Sequence, residues 1–420
     1  MMKQRQAFRF ELMPNGEQSL KIRKFSGSCR FVYNEALALQ KKLYKEEKKK
    51  LSYGELCKRL TEWRNSKETS RLAEAPAQAL QQSVKDLERA YTNLFAKRAQ
   101  FPRFKKKCNG GSFRIPDPKQ GKVDEKNSRL FLPKLGWMRY RKSREIEGEI
   151  KNFTVRLSAG KYFISIQTER EVQTVAAQGK TVGIDMGIKR FATLSNGTSI
   201  QPLNSFRKHE AALRKAQQSL SRKEKLSNNR RKARENGARL YARIRNVRSD
   251  YLHKITHSIC KNHAVVCVED LQVKNMSKSA KGTVEEPGKK VRAKSGLNKS
   301  ILDQGWYEFR RQLKYKLEWR GGQLKVVPPH FTSQICPQPD CRHRSPENRT
   351  SQATFKCTKC GFSGHADEVA ALNVLERAGH ARLACGESAL GLSMKQEPTG
   401  ANLGKTSKPS LGTAVGIPFL

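Results

Sequence analysis

Thr181-Val-Gly-Ile-Asp-Met-Gly-Ile-Lys-Arg-Phe-Ala-Thr-Leu-Ser-Asn-Gly197 is the stretch on which the reading of the fold turns. Its apolar run, Val182 to Ile184, ends on a carboxylate, Asp185. Phe191 to Leu194 reads as a second strand, and Asn196-Gly197 is a strong short-range hairpin signal, because both residues tolerate positive φ. A strand that delivers one acid has many uses. Its meaning depends on whether further carboxylates occur at comparable places.

Two do. Ala264-Val-Val-Cys-Val-Glu-Asp-Leu271 opens with an unbroken apolar run, which reads as a strand buried on both faces, and it ends at Glu269. An acid there is costly unless it is paired or holds a cation. The third, Asp367, lies in the first turn of a helix expected from Gly364 to Arg377. By itself that place equally suits an N-terminal capping or dipole residue. Between the first two acids, Arg207 to about Asn262 is helical and crowded with cations, among them Arg248. Asn228-Asn229 or Gly237 marks its bend. Residues 275–300 look mobile, and a helix (Ile301 to Leu317) and a strand (Gln323 to Val327) follow.

The order is strand with Asp, two meander strands, helix, strand with Glu, helix, strand, helix with Asp. That is the RNase H-like order, in which the three acids converge at one edge of the sheet. Two divalent cations would bind there, one activating a water and one stabilising the leaving oxygen. Mg²⁺ is the natural candidate, because it takes hard carboxylate oxygens.

Cys336-x4-Cys341, then Cys357-x2-Cys360-Gly361, fit a four-thiolate structural Zn²⁺ site better than disulfides, with His343 ranked below the cysteines. The other six of the ten cysteines are scattered, as in a reducing cytoplasm. Net charge is +46, from 84 basic against 38 acidic residues, which makes nucleic acid the expected partner. No apolar run approaches the roughly 20 residues of a membrane span.

The N-terminal part begins with a strand, Arg5 to Leu12, and turns helical from Glu17 to about Arg98. Short strands follow at Ser112–Ile115, Arg129–Leu132, Phe153–Leu157 and Tyr162–Gln167, and Arg170 to Lys180 reads as a linker. This pattern is a small β-domain interrupted by a helical insertion. Phe101-Pro-Arg-Phe104-Lys105 interleaves aromatics with cations, as stacking on bases beside phosphates requires, or as a linker whose two phenylalanines pack on the neighbouring strands would show.

The chain resembles the transposon-encoded TnpB nucleases, relatives of the type V CRISPR effectors. The resemblance is carried by Gly183 to Ser195, Asn246 to Lys254, Val268-Glu-Asp-Leu271, Thr332-Ser-Gln-Ile-Cys336, Cys357-x2-Cys360-Gly361, and Ala366-Asp367 through Asn373-Val374. It extends over roughly residues 3–380. It departs at His365-Ala-Asp367-Glu-Val369, where many relatives read Asp-Arg-Asp-x-Asn. It implies an α+β multidomain protein: a wedge-type β-barrel (residues 1–16 and 100–172) with an inserted helical recognition lobe (17–99). A RuvC-like nuclease domain (173–330 and 362–380) follows, with a zinc-binding insertion that engages target nucleic acid (331–361); the tail (381–420) is poor in apolar periodicity and is expected to be disordered. Asp185, Glu269 and Asp367 carry over as catalytic, Mg²⁺-holding acids, and the four cysteines as zinc ligands.

The implied function is RNA-guided DNA cleavage beside a short adjacent motif, with a guide RNA transcribed from the transposon end and a double-stranded DNA target. The protein would be a monomer in a ribonucleoprotein, cytoplasmic and nucleoid-associated in a bacterium or archaeon. Gln81 and Gln82 are candidate readers of adenine edges. Phe101, Phe104, Lys105 and Arg248 are further candidate nucleic-acid contacts. The alternative is a guided repressor that has lost cutting. A cut-and-paste transposase would need strand transfer and recognition of transposon ends, which nothing beyond the acidic triad supports, and passive RNA binding would leave the three acids unexplained.

Overall fold

A computed structural model describes residues 2–107, 110–173 and 179–380. The expected tail, 381–420, lies outside the described residues. Contacts divide the chain into two units: residues up to 173 with 212–242, and 174–211 with 243 onward.

In the first unit β1 (Met2–Met13) precedes three helices, α1 (Gly16–Glu47), α2 (Tyr53–Asn65) and α3 (Ala77–Phe95). Six strands follow: β2 (Gly111–Ile115), β3 (Lys122–Asp124), β4 (Arg129–Leu132), β5 (Gly136–Arg141), β6 (Glu149–Ser158) and β7 (Lys161–Val172). Capping boxes start α1 (Asn15 with Gln18) and α2 (Ser52 with Glu55), satisfying backbone donors that a helix start leaves open. The amide of Gln18 also donates to the Leu135 and Trp137 carbonyls, tying α1 to the turn before β5. Helices and sheet share one core, from Phe8 and Phe10 through Ile22, Phe25 and Leu87 to Ile164 and Ile166.

The expected barrel is a half-barrel. The antiparallel sheet runs β2-β6-β7-β1-β5-β4-β3, and its edges β2 and β3 do not pair. Pro116 and Pro118 lie between them and lack the N–H groups that closure needs. The Phe153 ring fills the space instead, so close to Gly121 that a Cβ there would meet it at 2.4 Å. The expected linker also gives way at its start, since Arg170 to Val172 continue β7 and pair with β1.

The second unit is built on β8 (Lys180–Asp185), β9 (Ala192–Leu194), β10 (Ser199–Ile200), β11 (His263–Glu269) and β12 (Gln323–Val327), in the order β10-β9-β8-β11-β12. The first three form an antiparallel meander, and β11 and β12 run parallel to β8. Two long helices, α4 (Ser205–Ser221) and α5 (Asn228–Asn262), leave the meander. Of the two expected bends the one before Asn228 is real, whereas Gly237 lies inside α5. The guanidinium of Arg230 donates to the Leu220 and Lys223 carbonyls and closes that turn.

After the short α6 (Val273–Met276), α7 (Val291–Gln304) occupies part of the segment expected to be mobile. Gly305, at φ +74°, breaks the anticipated single helix into α7 and α8 (Trp306–Trp319). A hairpin, β13 (Thr354–Lys356) with β14 (Ser363–His365), then leads into α9 (Ala366–Arg377). Among the described residues no helix is long and apolar enough to cross a membrane.

β11 is covered on both faces, as its unbroken apolar run requires. Val266 and Val268 pack with α5, α7 and α8 on one side, and Cys267 meets Val374 and Leu375 of α9 on the other. α9 comes so close to β8 that a Cβ on Gly183 would meet the Ala371 carbonyl oxygen at 2.2 Å. Backbone cannot yield as a side-chain tip can. Gly183→Ala is therefore expected to lower stability by about 1–3 kcal/mol, the usual cost of overpacking, read as a fall in melting temperature. An unchanged melting temperature would show that α9 moves away freely.

Candidate active site

β8 and β11 are parallel neighbours with Ile184 opposite Val268, so the next residues, Asp185 and Glu269, stand side by side at the same end of the sheet. The approach of α9 at Gly183 brings the first turn of that helix, and Asp367, to the same end. Their convergence is visible in their electrostatics. Burial, with Glu269 and Asp367 nearby, pushes the Asp185 carboxyl up to about 7, against a weaker opposing pull from Arg349. Burial also raises Glu269, which is 6% exposed. The Thr332 hydroxyl opposes this by donating to Glu269 Oε1 at 2.6 Å. Arg349 Nη2 lies 4.0 Å from Asp367 Oδ1.

Three carboxylates from three elements, two of them shifted toward the neutral form, make a donor set of hard oxygens that a divalent cation fits. All three are acids that the sequence singles out as candidates. The sequence did not reveal Thr332 as a partner of Glu269, although a threonine four residues before the first cysteine was in view.

The cysteines also converge. The Sγ atoms of Cys336, Cys341, Cys357 and Cys360 lie within 4.8 Å of one another, with Cys336–Cys360 at 3.5 Å and Cys341–Cys357 at 3.7 Å. A zinc tetrahedron with Zn–S near 2.3 Å has sulfur–sulfur edges of about 3.8 Å, whereas a disulfide needs about 2.05 Å. The four-cysteine cluster therefore suits zinc. Burial pushes the Cys336 thiol up to about 12. Burial pushes Cys357 the same way, but the backbone N–H groups of Cys360 and Lys359 and the neighbouring sulfurs outweigh it and bring that thiol down to about 7. His343 stands outside the cluster, with its Nε2 3.1 Å from the Thr358 hydroxyl.

The remaining candidates divide. Gln81 is exposed on α3, but the Gln82 amide is engaged by Asp86 one turn on. Phe101 and Phe104 are 47% and 46% exposed, with Lys41 Nζ 5.2 and 4.8 Å above their rings. Phe101 also packs edge-on against Tyr91 of α3, a helix rather than one of the neighbouring strands. Asn34 pins the Lys105 backbone by two hydrogen bonds, and the Lys105 ammonium lies 3.8 Å above the Tyr33 ring. Arg248 is turned inward: it donates to the Leu302 carbonyl and to Asp303. Asp303 in turn accepts from the Ser205 hydroxyl and the Phe206 N–H at the start of α4, which gives Arg248 a structural partner.

Comparison with known proteins places the whole chain. It is 55% identical over 401 residues to "Putative RNA-guided DNA endonuclease InsQ" of Escherichia coli K12, covering 95% of this chain and 98% of that one. The chain belongs to the TnpB (IS605 OrfB) family. A Streptomyces pristinaespiralis member, "Putative RNA-guided DNA endonuclease", is 34% identical over 420 residues, covering 96% of this chain and 99% of that one.

Family descriptions divide this TnpB-family chain in three. "Probable transposase" matches residues 163–280, "Cas12f1-like, TNB domain" residues 306–374, and "Helix-turn-helix domain" residues 1–49. Over the last stretch the described residues form a strand and one 32-residue helix. The solved Cas12f1–sgRNA–target DNA complex shares the fold, with TM-score 0.51 and 14% identity over 86% of this chain and 82% of that one.

Proposed function

We propose that this chain is an RNA-guided DNA endonuclease of a mobile element, and that Asp185, Glu269 and Asp367 are its catalytic acids. The observation that carries this reading is the meeting of those three carboxylates at one end of β8, β11 and α9. In this reading the half-barrel of the first unit is the wedge-type domain, with α1–α3 as the recognition lobe. The five-stranded sheet is the RuvC-type nuclease, and the cysteine-bearing segment is its zinc insertion. Guide RNA and duplex target are the partners, consistent with a net charge of +46. Base pairing then reads the target, while the protein reads the short adjacent motif.

The three acids would hold the divalent ions, Mg²⁺ by donor chemistry. When bound, such ions supply an activated water and stabilise the leaving oxygen of the phosphodiester. The chain's own groups set the stage. Thr332 fixes one oxygen of Glu269 by its hydrogen bond, leaving the other oxygen for the cation. His365 accepts the Asp367 N–H through Nδ1 and caps α9, holding the third acid at the start of its helix. Arg349 brings positive charge to the edge of the site.

Sequencing of RNA that co-purifies with the protein, followed by Mg²⁺-dependent cleavage of a matching DNA library, tests the reading. One structured RNA with a variable end and cleavage beside a fixed motif are expected. A specific RNA without cleavage would favour the guided repressor. Heterogeneous RNA and intact DNA would refute guidance altogether.

A further inference from the structure

Phe331, in the second unit, stands in left-handed backbone at φ +62°. That conformation is costly for a bulky side chain, and glycine or asparagine would make the same turn more cheaply. Among the described non-glycine residues with positive φ, Phe331 is the one aromatic. Burial does not offset the cost, because the residue is 42% exposed. Packing alone therefore does not account for a phenylalanine there.

The strained turn is held from several sides. The Arg377 guanidinium donates to the Pro328 and His330 carbonyls at 2.6 and 2.7 Å, just ahead of it. Just behind it, the Asn373 amide donates to the Thr332 carbonyl, and the Gln334 N–H donates to the Phe331 carbonyl at 3.0 Å. Strain of this kind persists where the surroundings over-determine it, and it gathers at functional sites. The next residue, Thr332, is the one whose hydroxyl donates to Glu269. Phe331 is thus fixed one residue from the group that orients an acid of the candidate site.

Its surroundings suit a flat ligand. The guanidinium of Arg344 lies 3.2 Å above the Phe331 ring and makes no ion pair among the described residues. The His330 ring, also exposed, stands beside it with centroids 6.2 Å apart and planes at 48°, so the two rings do not stack. An exposed ring backed by a guanidinium fits a nucleobase, whose face stacks well on such a ring.

We propose that Phe331, backed by Arg344, stacks on an unpaired base of the DNA strand next to the scissile phosphate. The inference rests on the reading of Asp185, Glu269 and Asp367 as a DNA-cutting site, and it adds the residue that positions the strand there. A base stacks on a side chain only once it has left its own duplex neighbours. The strand is therefore single-stranded at the cut.

Single-turnover cleavage by the full chain with its co-purified RNA tests this. The DNA is intact, or carries one abasic nucleotide placed in turn at each position around the cut. Stacking of a base on an aromatic side chain is worth about 5- to 150-fold. Wild type is expected to slow by about that factor at one abasic position, with target binding unchanged. Phe331→Asn should show the same loss on intact DNA and no further loss at that position, and Phe331→Tyr should restore the rate. Phe331→Asn should melt no lower than wild type, since asparagine tolerates positive φ and the lost ring was exposed.

A further loss of the same size for Phe331→Asn at every abasic position would give the ring a structural role and overturn the proposal. A lower melting temperature, or a wild-type rate on intact DNA, would overturn it too. A wild-type complex that leaves intact DNA uncut would refute the nuclease reading itself.

Discussion

Asp185→Ala is expected to reduce DNA cleavage by at least about a thousandfold while nucleic-acid binding persists. Metal ions contribute several kcal/mol of transition-state stabilisation in phosphodiester hydrolysis, and each 1.36 kcal/mol is a factor of ten. Asp185 is the central acid of the three, since Glu269 and Asp367 both act on it. The same substitution has a thermodynamic signature that does not depend on turnover. In the metal-free protein the folded-state carboxyl stands at about 7, above its ordinary 3.8. Its contribution to stability is therefore fully present below about pH 4 and is lost as pH rises through 7.

Melting temperature without added Mg²⁺ and with zinc kept in place should accordingly fall across that window in wild type, and fall less in Asp185→Asn. At pH 8 the asparagine variant should be the more stable by roughly 2–4 kcal/mol. Added Mg²⁺ should reverse the order, because it binds the ionised form. A thermal shift by Mg²⁺ that grows from pH 6 to pH 8 in wild type, and is absent in Asp185→Asn, is the expected pattern. Undiminished cleavage by Asp185→Ala would remove the acid from the site.

Much of this site is legible in the chain because burial makes an acid conspicuous. Val182 to Ile184 and Ala264 to Val268 announce buried strands, and a carboxylate at the end of each needs a reason. The four cysteines are legible for a similar reason, since thiols at those spacings have few other uses. What stays hidden is whatever depends on two distant segments meeting. The Thr332 hydroxyl reaches Glu269 across 63 residues, and nothing in either segment announces it. Arg248 sits among many cations of α5, yet it is bound to Asp303, 55 residues away. β5 was within reach, because Met138 and Tyr140 alternate inward against Arg139 and Arg141, but its cations mask the pattern. Gly305 shows why one apolar stripe became two helices: periodicity continues through a residue whose φ does not.

Loss of zinc is the other change with a large expected effect, although no cysteine belongs to the acid cluster. Among the described residues, the apolar core beneath the cysteines is only Cys336, Phe355, Cys357, Ala366 and Val369, with Cys341 and Phe362 at its margin. A core that small cannot hold a loop of this length, whereas a structural zinc contributes an apparent 10–16 kcal/mol or so at pH 7.

The segment that enters the cluster is also the one that positions Glu269. The buried Asn373 amide donates to the Thr332 and Ile335 carbonyls at 2.7 and 2.8 Å, fastening to α9 the residues just ahead of Cys336. Arg342, beside Cys341, reaches Asn373 and Glu376 on the same helix. Cys357→Ser should therefore lower bound zinc and release Thr332, and Glu269 then loses the hydrogen bond that orients it.

Partners that orient a metal ligand are worth about 10–100-fold in affinity or activity. Thr332→Val is expected to cost about tenfold in cleavage and to raise the Mg²⁺ requirement, with zinc content unchanged and Thr332→Ser restoring both. Cys357→Ser is expected to cost at least about a hundredfold, since it releases the whole segment. Zinc content by elemental analysis, Mg²⁺ titration of the thermal shift and cleavage rate then separate the two variants. Wild-type cleavage by a protein stripped of zinc would show that Glu269 keeps its orientation without Thr332.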